Sequence, residues 1–177
     1  MKVAYLLGSL NRGGTETLVL DVFKKASQAP FQVMGIYRKG GAYLPGFKAT
    51  GEKMIALAPR FVGDVSYFVK LRRLLQRERV DVVHAQQSLD AVYARIACVG
   101  TGIKVVQTFH GYDFNAGKLM RRFMRFSAHW VDANFFVSAS QRDYYIKSYQ
   151  LKNYHKQHVV YNGVNFDKLD EQVAQVE

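Results

Sequence analysis

Val3-Ala4-Tyr5-Leu6-Leu7-Gly8-Ser9-Leu10-Asn11-Arg12-Gly13-Gly14-Thr15-Glu16-Thr17 decides how this chain folds. An apolar strand, Val3 to Leu7, runs into a glycine-bearing turn, and a helix opens around Thr15-Glu16-Thr17. Glycines where a parallel strand hands over to a helix N-terminus mark the place where α/β proteins receive phosphates and other anions. They also close ordinary strand–helix loops for steric reasons. The turn lacks the dinucleotide fingerprint, because Gly8 is followed by Ser9-Leu10-Asn11 and the paired glycines arrive only at 13 and 14. It lacks the Gly-Lys-Ser/Thr ending of a triphosphate loop as well. Any phosphate contact therefore falls to the backbone N–H groups of Gly13, Gly14 and Thr15.

Outward from that turn, strand and helix patterns alternate. The first helix is expected from Thr15 to about Ala29, where Pro30 breaks it, and Phe31 to Tyr37 reads as a second strand ending in the basic loop Arg38-Lys39-Gly40-Gly41. Met54 to Leu57 reads as a third strand. A helix capped by Ser66 should run to about Arg79, with Phe68, Leu71, Leu74 and Leu75 as its apolar stripe. Strands follow at Val80 to His84, Ile103 to Phe109, Ala133 to Val137 and Val159 to Tyr161, separated by helices at Leu89 to Val99, Lys118 to Trp130 and Ser140 to Tyr149, the last capped by its own serine. The strands carry apolar residues on consecutive positions, as burial of both faces of a parallel sheet requires. The fold class is α/β, a Rossmann-like doubly wound parallel sheet. Residues 1–166 form the domain, and 167–177 read as the start of a linker.

Composition bounds the function. The chain has 177 residues, 49% of them hydrophobic, enough for one full core. Lys and Arg number 25 against 14 Asp and Glu, a formal charge of +11 that favours anionic partners such as nucleic acid, phospholipid headgroups or sugar nucleotides. Nucleic acid is the poorest of these, because the aromatic residues lie mostly within strands and helices and form no basic-aromatic platform. No apolar run approaches the roughly 18 residues of a membrane span, and the N-terminus reads as a strand, so a cytoplasmic location is expected. Cys98 stands alone in an Ala-rich helix and reads as a small buried thiol. No cysteine spacing suggests a metal site.

In an open parallel sheet, ligands gather at the carboxyl ends of the strands. Four segments meet there: Gly13-Gly14-Thr15-Glu16, His84-Ala85-Gln86-Gln87-Ser88, His110-Gly111-Tyr112-Asp113 and Ser138-Ala139-Ser140. His110 follows an apolar strand and precedes a glycine, which aims its imidazole out of the sheet edge; it either orients or reacts with substrate, or bonds a neighbouring loop. His84 sits one residue deeper and either ties strand to loop or touches ligand. Glu16 serves its own helix terminus or a ligand. Gln86, Asp113 and Ser138 complete the cleft, and Ser138 and Ser140 have no nucleophile elbow around them.

Taken together, these motifs resemble the N-terminal domain of a family 4 glycosyltransferase of the GT-B fold. Gly13 to Leu20 (GGTETLVL) is similar to that family's Gly-Gly-x-Glu opening, Asp81 to Ala85 (DVVHA) to its Asp-Val-Val-His-x strand end, Thr108 to Gly111 (TFHG) to its Thr-x-His-Gly, and Val159 to Asn165 (VVYNGVN) to its Asn-Gly-Val-Asp segment. The resemblance implies a retaining transfer from a UDP-, GDP- or ADP-sugar to a glycan or lipid-linked glycan, without a metal or other cofactor. By motif, Gly14 would approach the donor pyrophosphate and His110 the transferred sugar. Gln86 departs from relatives with a second histidine there, and Asn165 from the usual aspartate. A C-terminal domain carrying most donor contacts is expected to follow, which would leave this portion inactive alone. A stand-alone glycan- or nucleotide-binding module, and an epimerase of the same two-domain fold, are the competing readings.

The helix Lys118 to Trp130 adds a partner. Lys118, Arg121, Arg122, Arg125 and His129 fall at i, i+3, i+4, i+7 and i+11 on one face, and Leu119, Met120, Phe123, Phe126 and Trp130 on the other. The apolar stripe is expected to pack on the sheet. The basic stripe, with Lys70, Arg73 and Arg77, would face an anionic membrane, and Tyr67 and Phe68 would dip into its interface.

Overall fold

The computed structural model describes residues 1–163. The Asn165 position and the expected linker over 167–177 lie outside the described residues. Among the described residues, seven strands form one all-parallel sheet: β1 Lys2–Ser9, β2 Gln32–Lys39, β3 Lys53–Ala56, β4 Val82–Ala85, β5 Lys104–Phe109, β6 Ala133–Phe136 and β7 Gln157–Val159. Their order is β3-β2-β1-β4-β5-β6-β7. Successive strands are added outward from β1 in one direction as far as β3 and in the other from β4, so the loops leaving β1 and β4 part and open a crevice at their carboxyl ends.

Helices α1 (Gly14–Lys24) and α2 (Leu44–Ala49) cover one face over β1 to β3, where Val3, Tyr5, Leu7, Phe23 and Phe47 form a cluster. Helices α3 (Val65–Arg77) and α4 (Ser88–Cys98) pack on the opposite face against Ala4, Leu6, Met34, Ile36 and Val83. Helices α5 (Lys118–Trp130) and α6 (Ala139–Tyr149) extend that layer around Phe109, Phe136 and Tyr145. Alternate residues of β1 thus feed two different cores, which is why the strand is apolar throughout.

Several boundaries depart from expectation for identifiable reasons. Helix α1 stops at Lys24, and a 3-10 turn, Ala26–Gln28, leads to Ala29, which Pro30 holds extended at φ −88°, ψ 149°. Helix α2 is too short to show periodicity; its signal is Pro45 in the first turn. Asp64, not Ser66, caps α3, its Oδ1 accepting from the N–H groups of Ser66 (2.9 Å) and Tyr67 (3.3 Å). The Arg60 N–H also donates to this carboxylate, and these bonds hold it at about 2. Ser138, not Ser140, caps α6 through the Gln141 N–H. Strand β7 begins at Gln157 instead of Val159 because Gln157 pairs with Asn134 in register and by side chain.

Two corrections concern surfaces. Helix α5 fully buries only Ser127 and Ala128, so the stripe expected to pack on the sheet faces outward in large part. Tyr67 is buried and Phe68 packs against the core, so neither reaches an interface.

Candidate active site

The sheet register brings the candidate residues together. His84 of β4 pairs with Tyr5 of β1 on one side and Val106 of β5 on the other, and Thr108 of β5 pairs with Phe135 of β6. Tyr5, His84, Thr108 and Phe135 therefore share the α1 side of the sheet. His84 Nε2 lies 2.7 Å from Thr108 Oγ1, and its ring sits 5.1 Å from Tyr5 and 5.7 Å from Phe135, centroid to centroid. Burial, and then the neighbouring His110, push the His84 pKa down to about 4. It is a neutral ring that ties β4 to β5.

His110 stands just beyond β5. Gln86 Oε1 lies 2.7 Å from its Nε2 and can only accept, so Nε2 carries the proton and Nδ1 is left with a free lone pair. Burial also lowers the His110 pKa, which keeps the ring neutral near pH 7 and Nδ1 available to a substrate hydroxyl. Gln86 is 6% exposed, and its Nε2 is buried without a hydrogen-bond partner. An unpaired buried amide N–H costs about 1–3 kcal/mol, a cost that a bound oxygen would relieve.

These groups border a pocket of about 570 Å³. His84, Gln86, Thr108 and His110 supply its polar side, Tyr5, Leu18, Val22 and Phe135 its apolar walls, and the chain leaving β7, Val160 to Gly163, a rim. A depression of about 670 Å³ lies at the opposite edge around Lys2, Gln32, Glu78 and Asp81. That is the amino end of the strands, where open sheets do not bind ligands.

Next to β4 in the sheet, β1 leads into α1, whose N-terminus is uncapped by any side chain. Gly13 is the N-cap, and a Cβ there would collide with the Glu16 carboxylate, which folds back over the turn. Gly14 faces open space, with nothing within 4 Å of where its Cβ would stand. The N–H groups of Gly14 and Thr15 thus end a helix dipole that a ligand can approach.

Asp113 and Ser138 occupy different settings from the cleft expected of them. The Asp113 carboxylate accepts from the hydroxyls of Tyr144 (2.6 Å) and Tyr149 (2.8 Å) and pairs with Arg121 at 3.4 Å, so it braces α5 and α6. Ser138 is engaged as a helix cap. Sequence reading did not single out Tyr5 or Phe135 and met Thr108 only as part of a motif, although alternation along each strand points all three to the His84 side once the strand order is known. It also missed the pair between Arg38 Nε and the buried Asp90 Oδ1 (2.7 Å), beside which Gln87 lies against Gly8.

The strand order, the crevice at its reversal and the histidine-lined pocket define a Rossmann-like half of the GT-B architecture. The model of Glycosyltransferase Family 4 matches residues 12–168, and the chain belongs to that family. No curated protein sequence matches it. Among solved structures it is similar to HepE from Anabaena in complex with UDP and glucose, at 16% identity and TM-score 0.75, over 98% of this chain and 50% of that one. It also resembles the apo form of the lipopolysaccharide outer core galactosyltransferase WaaB, at 15% identity and TM-score 0.69, over 93% and 46% of the two chains. The UDP-N-acetylglucosamine 2-epimerase from Rickettsia bellii shares the fold at 13% identity and TM-score 0.64, over 92% and 44%. The chain thus spans about half the length of the structures it matches.

Proposed function

We propose that this chain is the N-terminal, acceptor-side domain of a retaining glycosyltransferase that moves a sugar from a nucleotide-sugar to a glycan. The observation that carries the reading is the His110–Gln86 pair at a pocket walled by Leu18 and Val22 of α1, a helix whose N-terminus no side chain caps. When the glycosidic bond to the nucleotide breaks, negative charge develops on the departing diphosphate, and preorganised donors are what lower that barrier. The N–H groups of Gly14 and Thr15 are such donors. His110, neutral and held by Gln86, accepts from a hydroxyl of the transferred sugar through Nδ1. Gln86 presents its unpaired N–H to the same ligand. No side chain of the pocket pairs a nucleophile with a base, so positioning and electrostatics account for the chemistry assigned to this half.

A second domain, matching the half of the relatives' length that this chain does not span, would supply the remaining donor contacts. UDP is the donor nucleotide that HepE's bound ligand favours over GDP or ADP. The test is sugar transfer by the two-domain protein, followed by both nucleoside diphosphate release and product mass, which separates transfer from epimerisation. His110→Ala should lower kcat by roughly 10² to 10⁴ with a smaller change in KM. Gln86→Leu should fall between that variant and the parent. A folded His110→Ala protein with parental kcat would make His110 a structural residue.

A further inference from the structure

The basic segment that ends β2 borders a cavity separate from the histidine pocket. Arg38 and Lys39 line about 430 Å³ together with Gly8, Gln87 and Pro59, at the carboxyl edge of β1 and β2. Gln86 and Gln87 divide the two cavities between them. The chain is extended at Gln87 (φ −140°, ψ 148°), so the neighbouring side chains point to opposite sides, Gln86 to His110 and Gln87 to Arg38.

Arg38 is held in place by the protein itself. Asp90, fully buried in the first turn of α4, accepts from Arg38 Nε at 2.7 Å and from Nη2 at 3.4 Å, and Gln87 Oε1 accepts from Nη2 at 3.2 Å. The planar guanidinium is thereby fixed along one edge, and its Nη1 is left without a partner among the described residues. Gly8 makes room for this. A Cβ at that position would collide with the Gln87 amide and with the Arg38 guanidinium.

What the side chains leave open in this cavity donates. Arg38 Nη1 carries two N–H groups, Gln87 has given its oxygen to Arg38 and keeps its Nε2, and Lys39 makes no ion pair among the described residues. None of the lining residues is acidic. Asp90 cancels the charge of Arg38, so Lys39 gives the site one net positive charge. Donors around one net positive charge match a singly charged oxyanion, which takes shorter and stronger hydrogen bonds than a neutral acceptor does. We propose that this cavity binds a monoanionic group, the carboxylate of an acidic sugar or a phosphodiester, through Arg38 Nη1, Gln87 Nε2 and Lys39 Nζ, with Asp90 as the positioning residue. The donor diphosphate is assigned to the N–H groups of Gly14 and Thr15, so the anion in this cavity belongs to the acceptor glycan. That last assignment alone rests on the transferase reading.

The test is a titration of the 177-residue chain followed by nitrogen–proton NMR, with methyl glucuronide, glycerophosphoglycerol and neutral methyl glucoside as probes. An anionic probe should shift the Gly8 backbone amide and the Gln87 side-chain amide along a saturating curve, and methyl glucoside should leave both in place. A response to the glucuronide alone assigns an acidic sugar, and a response to the diester alone assigns a phosphodiester; each supports the site. Lys39→Glu, at an exposed position, should weaken binding about tenfold through charge reversal, and Arg38→Lys should weaken it too, because an ammonium lacks the planar fork. No shift with either anion, equal shifts with methyl glucoside, shifts confined to Gly14 and Thr15, or parental affinity in Lys39→Glu each overturns the proposal. In the two-domain protein, Lys39→Glu should raise KM for an anionic acceptor about tenfold at parental kcat and leave a neutral acceptor unaffected. Anion binding without sugar transfer would sink the transferase reading and leave the site standing, whereas transfer without anion binding would do the reverse.

Discussion

His84 and His110 differ in what burial asks of them. His84 stands half-buried between Tyr5 and Phe135 at the floor of the pocket with one polar contact, the Thr108 hydroxyl, and its pKa falls to about 4. In the unfolded chain a histidine titrates near 6.5. Above that pH both states hold a neutral ring and stability is full. As pH falls from about 6.5 toward 4, the unfolded chain takes up a proton that the native state refuses, so stability drops, by about 3 kcal/mol in the limit. Burial lowers the His110 pKa in the same sense and adds to the slope. Urea denaturation at pH 7.5 and pH 5 should show the native state weaker at pH 5, and His84→Gln should flatten the difference; an unchanged slope in that variant would locate the titration elsewhere. Which histidine faces a ligand is legible from position, because His110 lies past its strand and His84 within it. That Gln86 holds His110 is not legible, because the two lie 24 positions apart and meet only through the β4–β5 register.

At the scale of elements, the far half of the sheet is registered by a buried ladder of amides. Gln107 Nε2 donates to Asn134 Oδ1 at 2.7 Å, and Asn134 Nδ2 donates to Gln157 Oε1 at 3.0 Å and to the Ala128 carbonyl at 2.8 Å. Asn134 thus links β5, β6, β7 and the end of α5. Leucine fills a similar volume but satisfies none of these partners, so Asn134→Leu should destabilise the fold by roughly 3 kcal/mol, as unpaired buried polar groups cost about 1–3 kcal/mol each. Equilibrium denaturation measures it, and a loss below 1 kcal/mol would mean that the ladder adapts. The same ladder accounts for the late sequence placement of β7: hydropathy points to Val159 to Tyr161, whereas the amide of Gln157 sets the pairing. Helix caps follow the same logic. A serine inside the first turn looks like a cap until the geometry shows Asp64 and Ser138 accepting the free N–H groups.

For the whole molecule, half a cleft should hold half a ligand. Calorimetric titration of UDP-, GDP- and ADP-glucose into the 177-residue chain should show no binding tighter than about 1 mM, a span of about 4 kcal/mol in free energy, because the N–H groups of α1 and the His110 pocket meet only part of the donor. Micromolar binding would put the donor site on this domain and reverse the assignment of the halves. The sequence alone determined the α/β class, the parallel sheet, the glycine-led opening of α1 and the strand-end positions of His84 and His110. It could do so because backbone conformation follows from local periodicity and from residues with restricted or permissive dihedrals. Only the tertiary structure decided that Asp113 braces α5 and α6 instead of lining the cleft, that Gln86 fixes the tautomer of His110, and that the apolar stripe of α5 faces outward in large part. A helical pattern states which residues share a face but not which face meets the core, and partners 24 to 36 positions apart are chosen by strand order and register, which no single segment encodes.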